Sequence, residues 1–376
     1  MKIAIIEKDH FEVAYTLICL FDNDKNDITV FAEKESYRQL QLMLKEKINR
    51  YTWVIKEENE ANRSFITRIF QLLHNDSFDL LYFSTIDDNF IHYANHLQKT
   101  KAKLTVLTLH SINTIFHYKP SLSIRRLARY MGKRKLVKKV SAFNVLSQTM
   151  VKTLENKLER DAKIFTVPGG FFEPEHFNSL QYQPGQAIEI VVPGSIDTRR
   201  RNYESIFELL QTAKQQNINL SLTLLGSFRK GYSENILEKC KQYQQTNNNL
   251  HIYSSSTVDQ PEFDRVIRKS HFIWMPLQSF TTLDDGIKEQ YGVTISSGNI
   301  GDVIRHAKPF FASQNLALDP DLEKSCTRYY AIEDIITVLR SMTSENYAAM
   351  QQSAHQSSLN YTKEKIIARN SDLGFI

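Results

Sequence analysis

Two α/β domains, each a doubly wound parallel sheet with helices on both faces, are what this sequence predicts. Three observations carry that prediction. Short apolar runs alternate with amphipathic helical stretches through both halves of the chain. A Pro/Gly-rich break between Pro168 and Gly185, with Pro174 inside it, interrupts the rhythm once. In the second half, glycines stand directly after the apolar runs, where a backbone can turn closely. A length of 376 residues fits two domains better than one.

In the first half, residues 2–6 form an apolar run ended by charge, and Phe11, Tyr15, Ile18 and Leu20 follow at helical spacing. Residues 28–32 with 36–48, and 51–55 with 65–73, repeat this strand–helix pair. Residues 80–83 lead to a helix near 90–97, and 104–109 is the most strand-like run of this half. Strands at 142–146 and 164–167 bracket a helix over 149–158. Such regular alternation predicts a parallel sheet buried on both faces. Ligands of these sheets sit beyond the carboxyl ends of the strands. That rule selects the segments from Glu7 to Glu12, from Ser84 to Asp88 and from His110 to Asn113. His110, directly after a strand, could orient or deprotonate a hydroxyl group, or could simply hold a loop together. His10 either joins it or precedes the first helix on a solvated turn.

Composition narrows the function classes. Hydrophobic residues at 41% and charged residues at 24% describe an ordinary globular chain. A net charge of +5 is too small to imply nucleic acid, and no aromatic stacking platform accompanies the basic residues, so no nucleic-acid partner is expected. Cys19, Cys240 and Cys326 are far apart and odd in number, which points to a reducing compartment rather than a disulfide framework. Glu7, Lys8, Asp9, His10 and Glu12 interrupt the apolar N-terminus, and no run approaches the roughly 18 apolar residues of a spanning helix. A cytoplasmic protein is expected. Only Gly132 of the 12 glycines precedes position 169, and neither GxGxxG nor GxxxxGK[ST] occurs. Both absences argue against a dinucleotide dehydrogenase and a P-loop NTPase. The acidic segment 22–27 with Glu33 approaches a calcium loop, but Asp27 stands where the turn needs glycine, and no metal site is expected.

Between positions 124 and 140 lie Arg125, Arg126, Arg129, Lys133, Arg134, Lys135, Lys138 and Lys139, with no acidic residue. Leu122, Leu127, Met131, Leu136 and Val140 are interleaved with them. A basic amphipathic helix of this kind can lie on an anionic membrane or face an acidic acceptor, at about 1 kcal/mol per basic side chain. The plainer alternative is a solvated helical face that Gly132 weakens.

The second half restarts at residues 188–192, whose strand turns through Pro193, Gly194 and Ser195. Arg199, Arg200 and Arg201 follow, then Asn202 as a cap for a helix over 206–213. A glycine turn beside arginine and a helix start suits a phosphate. The strand 220–225 ends at Gly226 and Ser227, again with glycine at the carboxyl end. A strand at 251–254, a helix at 259–269, a strand at 272–275, a long loop over 277–286 and a strand at 308–312 complete the sheet. Segment 287–312 gathers Gly292, Gly298 and Gly301 with Ser296, Ser297 and Asn299. Ser297 or Asn299 caps a helix over 302–307, whose first amides would face an anion. Helices near 335–339, 346–354 and 361–368 end the chain. The expected boundaries are 1–168 for a first domain, 169–186 for the linker, 187–358 for a second domain, and 359–376 for a closing helix.

With these features together, the chain resembles the GT-B nucleotide-sugar glycosyltransferases over nearly its whole length. The resemblance rests on the two-domain layout, on PGSIDTRRRNY, on LTLLGSF and on EQYGVTISSGNIGDVIRHAKPFF. In the large retaining family, a motif ExFGxxxxEAxAxGxP holds the sugar diphosphate and ribose. Glu289, Tyr291 and Gly292 match its first part and Lys308-Pro309 its end. Ser297 stands at the second glutamate, which marks a divergent subfamily. The resemblance implies two Rossmann-like domains and sugar transfer from a nucleotide diphosphate sugar to a hydroxyl acceptor. It implies no cofactor or metal, a glycan or lipid-linked acceptor, retention of configuration, and a place in cell-surface polysaccharide or glycolipid synthesis, to which the basic stretch adds a peripheral position at the inner membrane face. Arg200 or Arg201 would hold the diphosphate, Glu289 the sugar hydroxyls and His110 the reacting group. His10 or Glu12 would be the base if the reaction inverts. A non-catalytic glycan- or partner-binding protein of the same fold is the alternative, with an epimerase or phosphorylase as a third.

Overall fold

The computed structural model describes residues 1–119, 123–253, 257–283 and 286–375. The first half alternates β1 (Lys2–Glu7), α1 (Phe11–Phe21), β2 (Asp27–Ala32), α2 (Lys34–Leu44), β3 (Thr52–Ile55), α3 (Asn62–Asn75), β4 (Leu80–Phe83), α4 (Phe90–Leu97) and β5 (Leu104–Leu109). A one-turn helix α5 (Asn113–Phe116) and the long α6 (Ile124–Lys139) precede β6 (Ala142–Val145), α7 (Val151–Glu155) and β7 (Lys163–Phe165). These strands form one seven-stranded sheet in the order β3-β2-β1-β4-β5-β6-β7, with parallel pairing throughout. The register pairs Ile3 with Ile28 on one side and with Leu80 on the other. β4 is buried at every position, as a strand covered on both faces must be.

The second half contributes β8 (Ile188–Pro193), α8 (Glu204–Gln215), β9 (Leu220–Leu225), α9 (Glu234–Gln244), β10 (Leu250–Ile252), α10 (Gln260–Lys269) and β11 (Phe272–Met275). A short antiparallel hairpin, β12 (Phe280–Thr282) and β13 (Lys288–Gln290), leads to α11 (Gly298–His306), β14 (Phe310–Ser313) and β15 (Cys326–Tyr329). Its parallel sheet has six strands in the order β10-β9-β8-β11-β14-β15. The predicted α/β class with two parallel sheets is what the chain adopts.

Several elements differ from the sequence expectation. α9, with only Ile236 and Cys240 buried, and β15, intermediate in burial along its length, lack a strong apolar period and were not expected. The loop over 277–286 is partly the β12–β13 hairpin. α11 begins at Gly298 rather than at 302, because Ser297 is its N-cap and accepts from the Asn299 amide at 3.4 Å. Ser254 of the expected strand and Leu122 of the basic stretch lie outside the described residues. Gly132 does not interrupt α6. A Cβ there would stand 2.2 Å from the Ile91 amide, so the glycine lets α6 cross tightly over the start of α4.

The two sheets share one apolar cluster, which joins Ile3, Val13 and Leu17 to Phe171, Phe172, Val303 and Phe310. Each fully buried side chain of this size stabilises by about 1.5–3 kcal/mol. After α12 (Ile332–Arg340) and α13 (Ser344–Ser358), the chain returns through α14 (Lys363–Arg369) to the first sheet. The Phe172 amide donates to Tyr361 O at 2.9 Å, and Thr166 N to Asn370 Oδ1 at 2.8 Å. Phe375 packs on Phe21 with ring centroids 4.5 Å apart.

Candidate functional site

Residues 294–296, between β13 and α11, reach the turn that follows β5 at the carboxyl end of the first sheet. Ser111 bridges Ile295, Ile112 N donates to Thr294 O at 2.7 Å, and Ser296 N donates to His110 O at 3.4 Å. Gly170 and Gly301 close the contact beneath, where a Cβ on Gly170 would lie 2.7 Å from Gly301 O.

On the first-sheet side, His10 and His110 are stacked with centroids 4.3 Å apart. Nε2 of His110 lies 2.9 Å from Ser84 O and 3.2 Å from Thr85 Oγ1, which fixes the ring and turns Nδ1 away from that loop. Buried Glu7 organises the turn after β1, accepting from the Asp9 amide at 2.6 Å and the His10 amide at 2.5 Å. Burial pulls the His10 imidazole down, but the carboxylates of Glu12, Asp9 and Glu7 outweigh it and raise it to about 9. Burial, together with the charge on His10, pushes His110 down to about 3. At neutral pH a protonated ring therefore faces a neutral one. A protonated His10 is unsuited to the role of base.

This pair predicts a pH signature. A histidine raised on folding stabilises below its ordinary value of 6.5 and loses that contribution as pH rises through about 9. A histidine lowered to about 3 acts the other way, so its contribution is lost as pH falls below 6.5. Imidazole NMR titration is expected to find one ring protonated past pH 8 and another neutral at pH 5. His10→Gln is expected to remove the alkaline loss of stability. Two rings titrating near 6.5 would contradict the stacked arrangement.

On the second-sheet side, two glycine turns press together. Gly194 has φ +92°, and a Cβ on Gly226 would lie 2.3 Å from Gly194 O. Arg201 is 7% exposed and lies under this turn. Its Nη2 donates to Pro193 O at 2.6 Å and to Asn299 Oδ1 at 3.2 Å, and its Nη1 to Ser195 O. Asn299, also buried, returns a hydrogen bond from Nδ2 to Pro193 O at 2.9 Å. Arg201, expected as a diphosphate ligand, thus spends its donors on carbonyls and ties α11 to the glycine turn. Arg200 differs in exposure: a third of its side chain is open, and its Nε lies 3.7 Å from Asp197 Oδ2, while the Nε of both arginines makes no hydrogen bond. Asp197, fully buried, also receives Arg199 at 2.8 Å and Arg229 at 3.9 Å, while Arg199 stacks 3.6 Å over Tyr232. Sequence reasoning missed Asp197, although an acid beside three arginines was its signal. Gly298 has nothing within 4 Å of a built Cβ, so the start of α11 is open there.

Gly292 has φ +76°, and its Cβ position is 2.1 Å from Ala317 O, so only glycine fits this turn. Tyr291 beside it is buried, with its amide donating to Ser279 O at 3.2 Å. Glu289, expected to hold sugar hydroxyls, is 0% exposed and caps α5 instead. Oε1 accepts from Thr114 N at 2.6 Å and Thr114 Oγ1 at 2.8 Å, and Oε2 from Asn113 N at 3.3 Å. Burial raises its carboxyl above the ordinary range against those donors. Asp302 on α11, absent from the expectation, is pushed up to about 7 by burial, with Arg305 opposing.

α6 divides its basic residues. Lys133 is buried, with Nζ donating to Thr114 O at 2.7 Å and lying 4.2 Å over the Tyr118 ring, so it belongs to the core rather than to an outer face. Arg129 donates to Asp87 O at 2.8 Å, and Lys135 to Asn95 Oδ1 at 2.5 Å. Arg125, Arg126 and Arg134 are exposed beside Ile124, Leu127 and Met131, which are 86%, 42% and 54% exposed. No described helix is long and apolar enough to cross a membrane. Among the described residues, Glu173, Glu175 and His176 on the linker come close enough to share a cation, far in sequence from these turns, and nothing else marks one there.

No protein-family model and no curated protein matches the chain. Solved structures do. A sucrose-phosphate synthase from Thermosynechococcus elongatus superposes with a TM-score of 0.63 at 12% identity, covering 99% of this chain and 98% of that one. The chain has the GT-B fold. A lipopolysaccharide outer core galactosyltransferase gives a TM-score of 0.59 at 12% identity, over 99% of this chain and 98% of that one. A UDP-GlcNAc 2-epimerase from Neisseria meningitidis, bound to UDP-GlcNAc, gives 0.57 at 12% identity, over 99% and 100%. At such identities the likeness shows the GT-B architecture and leaves the chemistry to the site.

Proposed function

We propose that the protein transfers a sugar from a nucleotide diphosphate sugar to a hydroxyl acceptor. The observation that carries this reading is that one segment, the open start of α11, touches both sides: Ser296 N reaches His110 O, and Asn299 reaches the paired glycine turns through Pro193 O. Backbone amides of Ser297 and Gly298, with Arg200, stabilise charge growing on the leaving diphosphate. Arg201 and Asn299 hold that cradle in shape. His110, neutral and fixed through Nε2, presents Nδ1 to a hydroxyl of the reacting sugar or acceptor. Protonated His10 adds positive charge beside it, and no metal or cofactor enters this scheme. Structures of the same fold bound to UDP, UDP with GlcNAc, and UDP-GlcNAc support the donor class.

Thermal unfolding with UDP, GDP, ADP and CMP tests it. A nucleotide at 100 times its dissociation constant is expected to stabilise the protein by about 2.7 kcal/mol. Silence toward all four would favour a non-catalytic binding protein. Epimerases among the similar structures favour a second reading, interconversion of the sugar on its nucleotide. Conversion of UDP-GlcNAc without any acceptor would select it over transfer.

The acceptor reading extends to α6, which starts close after the ligand end of β5. Ile124, Leu127 and Met131 make one apolar stripe with Arg125, Arg126 and Arg134 around it, a surface suited to anionic lipid and a lipid-linked or glycan acceptor. The protein is then a peripheral component of polysaccharide or glycolipid synthesis at the inner membrane face, and retention of configuration follows from the family resemblance. Flotation with vesicles containing phosphatidylserine is expected to carry the protein upward, and Arg125→Glu with Arg126→Glu to abolish this. Equal flotation of the variant would sink the membrane assignment.

A further inference from the structure

A cavity lies between the linker and α13, lined by none of the residues of the candidate site. Its volume is about 420 Å³, within the range of small-molecule sites. Phe177, Tyr182 and Tyr347 supply its aromatic surface. Four glutamine amides, two serine hydroxyls and the His355 imidazole supply its polar groups, and none of its lining residues is Asp, Glu, Lys or Arg. Gln351 is 4% exposed, yet its Nε2 donates to nothing. A buried donor without an acceptor costs free energy that a bound ligand would recover.

The lining selects the ligand chemistry. A charged molecule would lose hydration here without meeting a counter-charge. A purely apolar molecule would cover the glutamine amides and leave them unpaired. A neutral, hydroxyl-rich ring with apolar faces satisfies both demands, placing its faces on the aromatic rings and its hydroxyls on the amides. We propose that this cavity binds a neutral sugar unit of a glycan, separate from any sugar nucleotide at the candidate site. An occupant touches both the linker and α13, so it would anchor a growing or acceptor chain outside that site.

The test is calorimetric and saturation-transfer NMR titration of the full chain with maltose, cellobiose, lactose and chitobiose, with UDP present throughout. At least one disaccharide is expected to bind, and UDP is expected not to displace it. Gln351→Met keeps the side-chain volume and removes the donor, so binding is expected to weaken about tenfold with thermal stability unchanged or raised. Ala348→Trp, made from an exposed position on the cavity wall, is expected to abolish binding without touching the buried glutamine. Failure of all four sugars to bind, or binding that neither variant changes, would overturn the proposal. Either failure leaves the nucleotide response of the candidate site as a separate result.

Discussion

Replacing Arg201 by alanine is expected to destabilise the protein by about 3–5 kcal/mol, whereas replacing Arg200 should leave stability within about 0.5 kcal/mol and remove nucleotide binding. The two neighbours differ in what their guanidinium groups touch. Arg201 is buried and donates to Pro193 O, Ser195 O and Asn299 Oδ1. Truncation removes a donor from three acceptors, of which Pro193 O keeps the Asn299 amide and Asn299 Oδ1 the Ser297 hydroxyl, and Gly194, whose Cβ position lies 2.8 Å from Arg201 Nη2, loses the group that props its turn. Arg200 is a third exposed and holds Asp197 only at 3.7 Å. Its ion pair is therefore worth little. Chemical denaturation of both variants, with UDP titrated into each, separates structure from binding. Equal destabilisation by the two, or full UDP affinity in Arg200→Ala, would refute the division of labour.

The fold was legible because parallel strands buried on both faces need continuous apolar runs, and those runs are visible as sequence. The glycine turns were legible for the same kind of reason. Gly194, Gly226 and Gly292 each stand where a side chain would strike backbone or a guanidinium group, and the only way to meet that demand is glycine. The polar site residues were harder. Arg200 and Arg201 are identical in sequence character, and only the path of α11, which brings Asn299 beside one of them, tells them apart. Lys133 read as part of a solvated basic run because helical spacing does not reveal that α5 packs over it. Pairing of His10 with His110 needed the sheet order, which sets β1 and β5 on either side of β4.

Glu289 yields the second large effect, and it opposes the reading that resemblance suggests. A carboxylate dedicated to sugar hydroxyls should be dispensable for folding, so Glu289→Ala would leave the unfolding midpoint in place and reduce turnover alone. The structure demands more. Glu289 comes from β13 of the short hairpin in the second half of the chain, and its oxygens accept from Thr114 N, Thr114 Oγ1 and Asn113 N at the start of α5. At the other side of that turn, Lys133 Nζ reaches Thr114 O. One turn of helix beside His110 is thus clamped between a carboxylate from the β12–β13 hairpin and an ammonium from the basic helix. Removing the carboxylate leaves donors buried without an acceptor, at about 1–3 kcal/mol for each one left dry. Glu289→Ala is expected to lower stability by about 3 kcal/mol and to slow sugar transfer by roughly 100-fold, because His110 and the cradle no longer keep a fixed separation. Glu289→Gln retains the volume and one accepting oxygen, so it is expected to recover about half of the stability. Unchanged stability in both variants, with turnover alone reduced, would return Glu289 to the sugar-binding role.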